Sequence, residues 1–503
     1  MSQILEVDTR GIQAPMSGDD LYRNRQAVVE MQQELVEVSI IILAYNRLEK
    51  TKQCVESILQ NSNDVDYELI LVDNGSEDDT LAYFSEIQFD KKKIIHVTKN
   101  LGTVYPSFCI DFKDLGRFVC IVANDLILTP NWLTNLLSCM YSDEQIGMVN
   151  PLSSNTSNLQ CVNLSFSDIE DMQAKASLFN KSDPNKWEDR LRLITLGTLY
   201  RKSALIAVGW PVGDSGFFHD FVDDDITFRI RRMGYRTVLA GDTWICHNHD
   251  LSNFEGKNPE EHNQSLNTGR KNFATKYYGV DAWDDVNNYY IPYFKNFPCC
   301  SASGRKKVLG INVRCGTPIL DIMNRLRRDG IFDVELSAFT RDPKFWLDLK
   351  TICKGSVVSD REEYLREHFQ DEEFDYIITD EAINLYKEPK KILEDMFRIC
   401  AVGGVVIFKL YNTHSIMDLL YSYGEKDLYD RAEAVNIAVD EMIKLVGSKG
   451  KIFQNNIVPT FHNLDGGSEL LERIVPQNVC GDKRDEVLQK LLIKEYLFVV
   501  IKQ

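Results

Sequence analysis

The sequence predicts an α/β protein of two successive units. Strand-length apolar runs alternate with helical stretches, this pattern starts twice, and a polar stretch rich in Pro, Asn and Ser separates the two series. The length agrees: 503 residues exceed the roughly 250–300 that one hydrophobic core usually serves.

The chain opens on a polar segment. In residues 20–37, Leu21, Val28, Val29, Met31 and Leu35 recur at roughly helical spacing, so residues 1–37 read as an N-terminal helical extension. Apolar runs at 38–44, 68–73, 94–97 and 118–122 read as strands, with helical patterns at 48–60 and 80–87 between the early ones. Strands alternating with helices imply a largely parallel sheet, whose ligands sit beyond the carboxyl ends of the strands. Residues 153–190 are polar and irregular, suiting a mobile loop followed by a helix. The first unit then spans 38–286, and 287–304 read as a linker. The second series, 305–503, has strand patterns at 308–311, 374–379, 405–410 and 496–501, with helices at 319–328 and 389–399.

Charge and composition narrow the function. With 57 basic against 75 acidic side chains the net charge is −18, which argues against binding nucleic acid or an anionic membrane. No apolar run approaches the ~20 residues of a membrane span. The first fifteen residues are too polar for a signal peptide. The twelve cysteines form no CxxC pair and no regular framework, as in a cytoplasmic protein with reduced thiols.

The chemistry-bearing residues fall at strand ends. The first strand exits through Ala44, Tyr45 and Arg47. The second ends at Asp73, followed by Asn74, Gly75 and Ser76. A carboxylate there can accept the N3–H of uracil or thymine, or the N1–H of guanine; equally, it can cap the next helix beside an Asn-Gly turn. The fourth strand leads into Asn124 and Asp125, a carboxylate suited to a hard divalent cation or to a plain turn. Asp223, Asp224 and Asp225 begin a helical pattern, where the dipole favours them. Crowded carboxylates also raise one another's pKa, which suits a general base. His247 follows a strand-like run and can reach the same metal as Asp125.

In order and spacing these stretches resemble the family 2 glycosyltransferases of GT-A fold across roughly 36–280, most nearly the bacterial rhamnosyl- and N-acetylhexosaminyltransferase-like members. The match runs through 38–47, 71–80, 100–102, 124–132, 196–199, 208–209, 221–235, His247 and 270–279. The resemblance implies a nucleotide-binding set of Ala44, Tyr45, Arg47, Asp73, Gly102 and Asn124. It implies Mn²⁺ or Mg²⁺ on Asp125 and His247, and Asp223, with Asp224 beside it, as catalytic base. It further implies inverting transfer from a nucleotide sugar, a UDP-sugar such as UDP-N-acetylglucosamine first, to a hydroxyl of a protein (a flagellin or surface protein) or a glycan. Two positions depart from the family pattern: Ala123 replaces the first carboxylate of the Asp-X-Asp motif, and Val222 the glutamate of the Glu-Asp motif. They keep open a non-catalytic nucleotide-sugar-binding protein.

The second series resembles a class I methyltransferase core of Rossmann-like type, through 374–381, 388–393 and 399–412. Its glycine-rich first motif is reduced to 310–318, where Arg314 and Pro318 stand in place of small or acidic residues. The expectation is a methyltransferase-like fold that does not use adenosylmethionine, with Glu335 the residue left to hold a ribose. Its role would be scaffolding, homodimerisation or acceptor docking; a bifunctional glycosyl- and methyltransferase is the alternative.

Overall fold

The computed structural model describes residues 4–11, 36–100, 102, 109–214, 216–217, 219–248, 259–294, 297–298, 304–415, 434–453, 458–461 and 483–503. Two compact units emerge: Met1–Asn287 with Arg327–Gly330, and Asn288–Leu326 with Ile331–Gln503.

The first unit runs β1 (Ile4–Val7), β2 (Val38–Ala44), α1 (Leu48–Asn61), β3 (Tyr67–Asp73), α2 (Thr80–Glu86), β4 (Lys92–Val97), β5 (Phe118–Ala123), β6 (Leu126–Ile127), α3 (Trp132–Tyr141), β7 (Ile146–Ser153), α4 (Ile169–Phe179), β8 (Trp187–Asp189), β9 (Thr198–Arg201), α5 (Lys202–Val208), α6 (Val222–Arg232), β10 (Arg236–His247) and α7 (Pro259–Lys276). The sheet order is β1-β4-β3-β2-β5-β9-β7-β10-β6, with β8 beside β10. β2, β3, β4 and β5 pair in parallel, β9 is antiparallel to both β5 and β7, and β10 is parallel to β7. The carboxyl ends of β2, β3, β4, β5, β7 and β10 therefore share one edge, and β9 starts from it. β2 and β3 are buried on both faces, as expected of inner parallel strands. Their Ile, Leu and Val side chains meet Cys54, Val55 and Ile58 of α1 and Trp132, Leu133 and Leu136 of α3 in one core.

One sequence expectation needs correction here. Within the 1–37 extension, Ile4–Val7 is a strand paired in parallel with β4; four residues are too few to show a period. The helix expected at 20–37 lies mostly outside the described residues. β7 is a strand despite Asn150 and Pro151, because β9 and β10 flank it and bury it throughout.

The second unit comprises β11 (Lys306–Ile311), α8 (Thr317–Arg328), β12 (Val334–Thr340), α9 (Trp346–Ile352), β13 (Val357–Ser359), α10 (Leu365–His368), β14 (Phe374–Ala382), α11 (Pro389–Ile399), β15 (Cys400–Tyr411), α12 (Val439–Gly447), β16 (Gly450–Ile452), β17 (Val458–Phe461), α13 (Arg484–Leu492) and β18 (Ile493–Lys502). Its sheet order is β13-β12-β11-β14-β15-β18-β16, with β17 also on β18. The first five strands are parallel and β18 is antiparallel to β15. The described part of the 287–304 stretch is no free linker: the Tyr290 backbone N–H donates to Asp321, its hydroxyl donates to Asp380, and Phe297 stacks on Tyr376.

Candidate active site

The carboxyl edge of the first sheet gathers the predicted residues. Ala44 ends β2 fully buried, and Tyr45 beyond it is exposed. The chain then turns through Asn46 and Arg47, both in the left-handed region at φ 53° and 63°. Asn46 is held there because its amide accepts from Glu77 N–H at 2.8 Å and its own N–H donates to Ser76 Oγ at 2.9 Å. Asn124 donates to the Asn46 carbonyl at 3.0 Å and to Thr51 Oγ1 at 2.9 Å, so it braces this turn from β5.

Asp73, at the end of β3, is fully buried. Its Oδ1 accepts from Ser76 N–H at 3.0 Å, and its Oδ2 lies 2.6 Å from His96 Nδ1 on β4. Sequence reasoning missed His96; the parallel register that pairs Asp73 with His96 was the signal that only the sheet supplies. Gly75 follows at φ 77°, and a Cβ there would stand 2.8 Å from Asn100 N. Asn74 donates to the Gly102 carbonyl at 2.8 Å and Asn100 accepts from Gly102 N–H at 2.8 Å, which fixes Gly102 against the same strand ends.

Asp125 and His247 meet because the end of β10 folds back on β6, pairing His247 with Leu126. His247 Nε2 lies 3.6 Å from Asp125 Oδ2, too far for a hydrogen bond. His247 Nδ1 is 2.6 Å from the Asn155 carbonyl, so it carries the proton and leaves the Nε2 lone pair facing the carboxylate. Burial lowers the His247 pKa, but Asp125 outweighs it and the net direction is up. Arg47 Nη1 stands 3.4 Å from the same carboxylate oxygen. Asp125 Oδ2 and His247 Nε2 are the donors that would hold a divalent cation here, and two protein donors would leave most of its coordination to other ligands. Among the described residues no three His, Cys, Asp or Glu side chains cluster as a metal site.

The three carboxylates at the start of α6 have different surroundings. Asp223 is half-buried and accepts a hydrogen bond from the Thr195 hydroxyl. Burial pushes its pKa up to about 6, against the Thr195 hydrogen bond, while Asp224 adds repulsion and Arg192 opposes it. Asp224 is buried in an ion pair with Arg192; burial raises its pKa and Arg192 only partly offsets this. Asp225 is wholly buried, bonded to Arg229 Nε at 2.8 Å, Tyr277 OH at 2.7 Å and Lys276 Nζ at 2.5 Å. Of the three, only Asp223 keeps access to solvent.

In the second unit the chain's own side chains occupy the carboxyl end of β11. β12 and β14 flank β11, and Arg341, one residue past β12, reaches Glu381 of β14 at 2.6 Å across the end of β11. Asn312 closes the same gap, accepting from Arg341 N–H at 2.9 Å and donating to Tyr386 OH at 3.0 Å. A Cβ on Gly310 would stand 2.6 Å from Val313 Cγ2, and one on Gly316 2.4 Å from Ile352 Cδ1, so the glycines pack on the chain's own side chains. Glu335 corrects the expectation of a ribose ligand. It lies at the amino end of β12, on the opposite edge, paired with Arg305 at 3.1 Å; Val334–Thr340 carries no apolar run long enough to mark a strand and so to place Glu335 on an edge.

Three known proteins show what the chain is similar to. The uncharacterized protein y4gI of Sinorhizobium fredii is 31% identical over 105 residues, 20% of this chain and 12% of that protein. The chain thus spans 12% of the length of the curated relative it matches. The crystal structure of GalNAc-T7 with UDP, GalNAc and Mn²⁺ aligns at 13% identity and TM-score 0.36, over 50% of this chain and 53% of that one. The mannosyltransferase PcManGT from Pyrobaculum calidifontis, in complex with GDP-Man and Mn²⁺, aligns at 14% identity and TM-score 0.32, over 56% and 80%. Residues 349–425 match the family model of Methionine biosynthesis protein MetW, in the methyltransferase-like second unit. Residues 39–207, which carry the strand ends around Asp73 and Asp125, match the model of Glycosyl transferase family 2, and the first unit is accordingly a GT-A-like α/β fold.

Proposed function

We propose that the first unit is an inverting glycosyltransferase, moving a sugar from a nucleotide diphosphate sugar to a hydroxyl of a protein or glycan acceptor. The observation that carries this reading is the convergence of Asp73, the Asp125–His247 pair and Asp223 along one sheet edge, with Asp73 and Asp125 inside the segment 39–207 that matches Glycosyl transferase family 2. Asp73, held by Ser76 and His96, would accept the N3–H of uracil, which favours a UDP-sugar, UDP-N-acetylglucosamine among them. Ala44, Tyr45, Arg47, Gly102 and Asn124 would line the nucleotide site. Asp125 and His247 would hold Mn²⁺ or Mg²⁺, which when bound neutralises the diphosphate.

Asp223 would then take the proton of the acceptor hydroxyl. The freed oxygen lone pair forms the new bond to the anomeric carbon. The bond to the diphosphate breaks on the opposite face, and its electron pair leaves with the diphosphate. Arg47, 3.4 Å from Asp125, adds positive charge beside the departing group.

The second unit, whose edge is filled by Arg341, Glu381 and Asn312, would serve as a scaffold for acceptor docking or homodimerisation. No helix among the described residues is long and apolar enough to cross a membrane. Free thiols, most of them buried, support a cytoplasmic protein. The test is a panel of nucleotide sugars with Mn²⁺ or Mg²⁺, scored for binding and turnover. Binding without turnover of any donor would favour a nucleotide-sugar-binding protein, as Ala123 and Val222 allow.

A further inference from the structure

The segment after β7 is polar enough to read as a mobile loop, yet it is built around a fully buried amide, Gln160. The segment returns on itself: Ser153 N–H donates to the Gln160 carbonyl at 3.0 Å, and Val162 N–H to the Ser153 carbonyl at 2.9 Å. Asn158 and Leu159, both left-handed at φ 63° and 55°, turn the chain so that the Gln160 side chain points inward. That side chain grips the backbone of Ile194 at two points. Its Oε1 accepts from Ile194 N–H at 2.8 Å, and its Nε2 donates to the Ile194 carbonyl at 3.0 Å. Asn158 adds a third tie, donating to Gln160 Oε1 at 2.9 Å and to the Arg192 carbonyl at 2.9 Å.

What lies on either side of this clamp gives it a role. On one side, the same segment holds His247: Ser154 Oγ accepts from His247 N–H at 3.0 Å, and the Asn155 carbonyl takes Nδ1. On the other, Ile194 is followed by Thr195, whose hydroxyl donates to Asp223, and stands two residues after Arg192, which pairs with Asp224. We infer that Gln160 is a positioning residue that sets the placement of the base, Asp223, relative to the Asp125–His247 pair, and so aligns the acceptor hydroxyl with the bound donor. The inference rests on the transferase reading of this site. Gln160 touches no reacting atom. Its two bonds act on a backbone one residue from the group that orients the base, and errors of about 1 Å in such alignment cost on the order of 10²-fold in rate.

The experiment uses the full chain with UDP-sugar turnover and calorimetry of UDP with Mn²⁺. Gln160→Met keeps length and removes both bonds. Asn158→Ala leaves both Gln160 bonds to Ile194 in place and serves should the first variant not fold. Gln160→Glu retains the acceptor and loses the donor. Expected is a fall in kcat on the order of 10²-fold for Gln160→Met, a smaller fall for the other two, and unchanged UDP affinity in all three. Transfer to acceptor should fall more than hydrolysis by water, which needs no aligned acceptor. Wild-type kcat in folded Gln160→Met and Asn158→Ala overturns the inference. So does a loss of UDP affinity equal to the loss of rate, the mark of general disruption. Asp223→Asn is assayed in parallel. If it retains turnover, the reading of the base has failed, and that result is separate from any result at Gln160.

Discussion

The hydrogen bond from Thr195 to Asp223 offers the sharpest test of the base. A general base acts in its ionised form, and Asp223 is pushed up to about 6, chiefly by burial. With that value about half the enzyme is active at pH 6 and about a tenth at pH 5. The Thr195 bond favours the ionised form, so Thr195→Val must move the value further up. A hydrogen bond to a charged group contributes about 1.5–3 kcal/mol, and one pH unit is about 1.4 kcal/mol. Because Asp223 keeps contact with water, the lower end applies and the shift should be about one unit. The acid limb of kcat should therefore move from about 6 to about 7, lowering the rate at pH 6 about fivefold and leaving it near normal above about pH 8. The assay is initial-rate nucleotide release across this range. Asp223→Asn should lose about 10²–10⁴-fold at every pH and show no acid limb near 6. An unmoved limb in Thr195→Val, or a limb near 6 persisting in Asp223→Asn, would refute the assignment. Stability runs opposite to rate: a carboxylate raised from 3.8 to about 6 costs the fold nothing below the lower value and progressively destabilises it as pH rises between the two. Asp223→Asn should flatten that slope in thermal melts.

Other consequences are equally direct. Asp73→Ala should weaken UDP binding by about 1.5–3 kcal/mol, the worth of a charge-assisted hydrogen bond; calorimetry giving equal affinity for UDP and CDP would contradict base reading by this residue. Chelation should abolish turnover, Mn²⁺ should tighten UDP binding, and His247→Ala should remove that tightening; full activity in EDTA would mean that Arg47 and its neighbours neutralise the diphosphate without a cation. Adenosylmethionine and adenosylhomocysteine titrated into the full chain should give no saturable heat, because Arg341 and Glu381 bridge the end of β11; micromolar binding would restore the bifunctional reading.

Much of this was legible in residue order. The apolar runs around 38–44, 68–73 and 118–122 needed only their length and composition to be read as parallel strands, since burial on both faces demands continuous Ile, Leu and Val. Asp73 and Asp125 were readable too, because polar residues just past such runs have only the sheet's carboxyl edge to occupy. What sequence could not supply was pairing across distance. His96 reaches Asp73 only through the register of β3 with β4, and His247 faces Asp125 only because β10 folds back on β6. The three adjacent aspartates of α6 look equivalent in the chain, yet helical rotation sends Asp225 into a buried network with Arg229, Tyr277 and Lys276 and leaves Asp223 facing Thr195. The sequence by itself therefore determined the long inner strands of the first sheet and the polar residues at their carboxyl ends, because those follow from continuous apolar runs; short strands such as β1 left no such run. Tertiary structure alone decided which of those residues meet, because hydrogen bonds and ion pairs depend on strand order and register, which local periodicity does not encode.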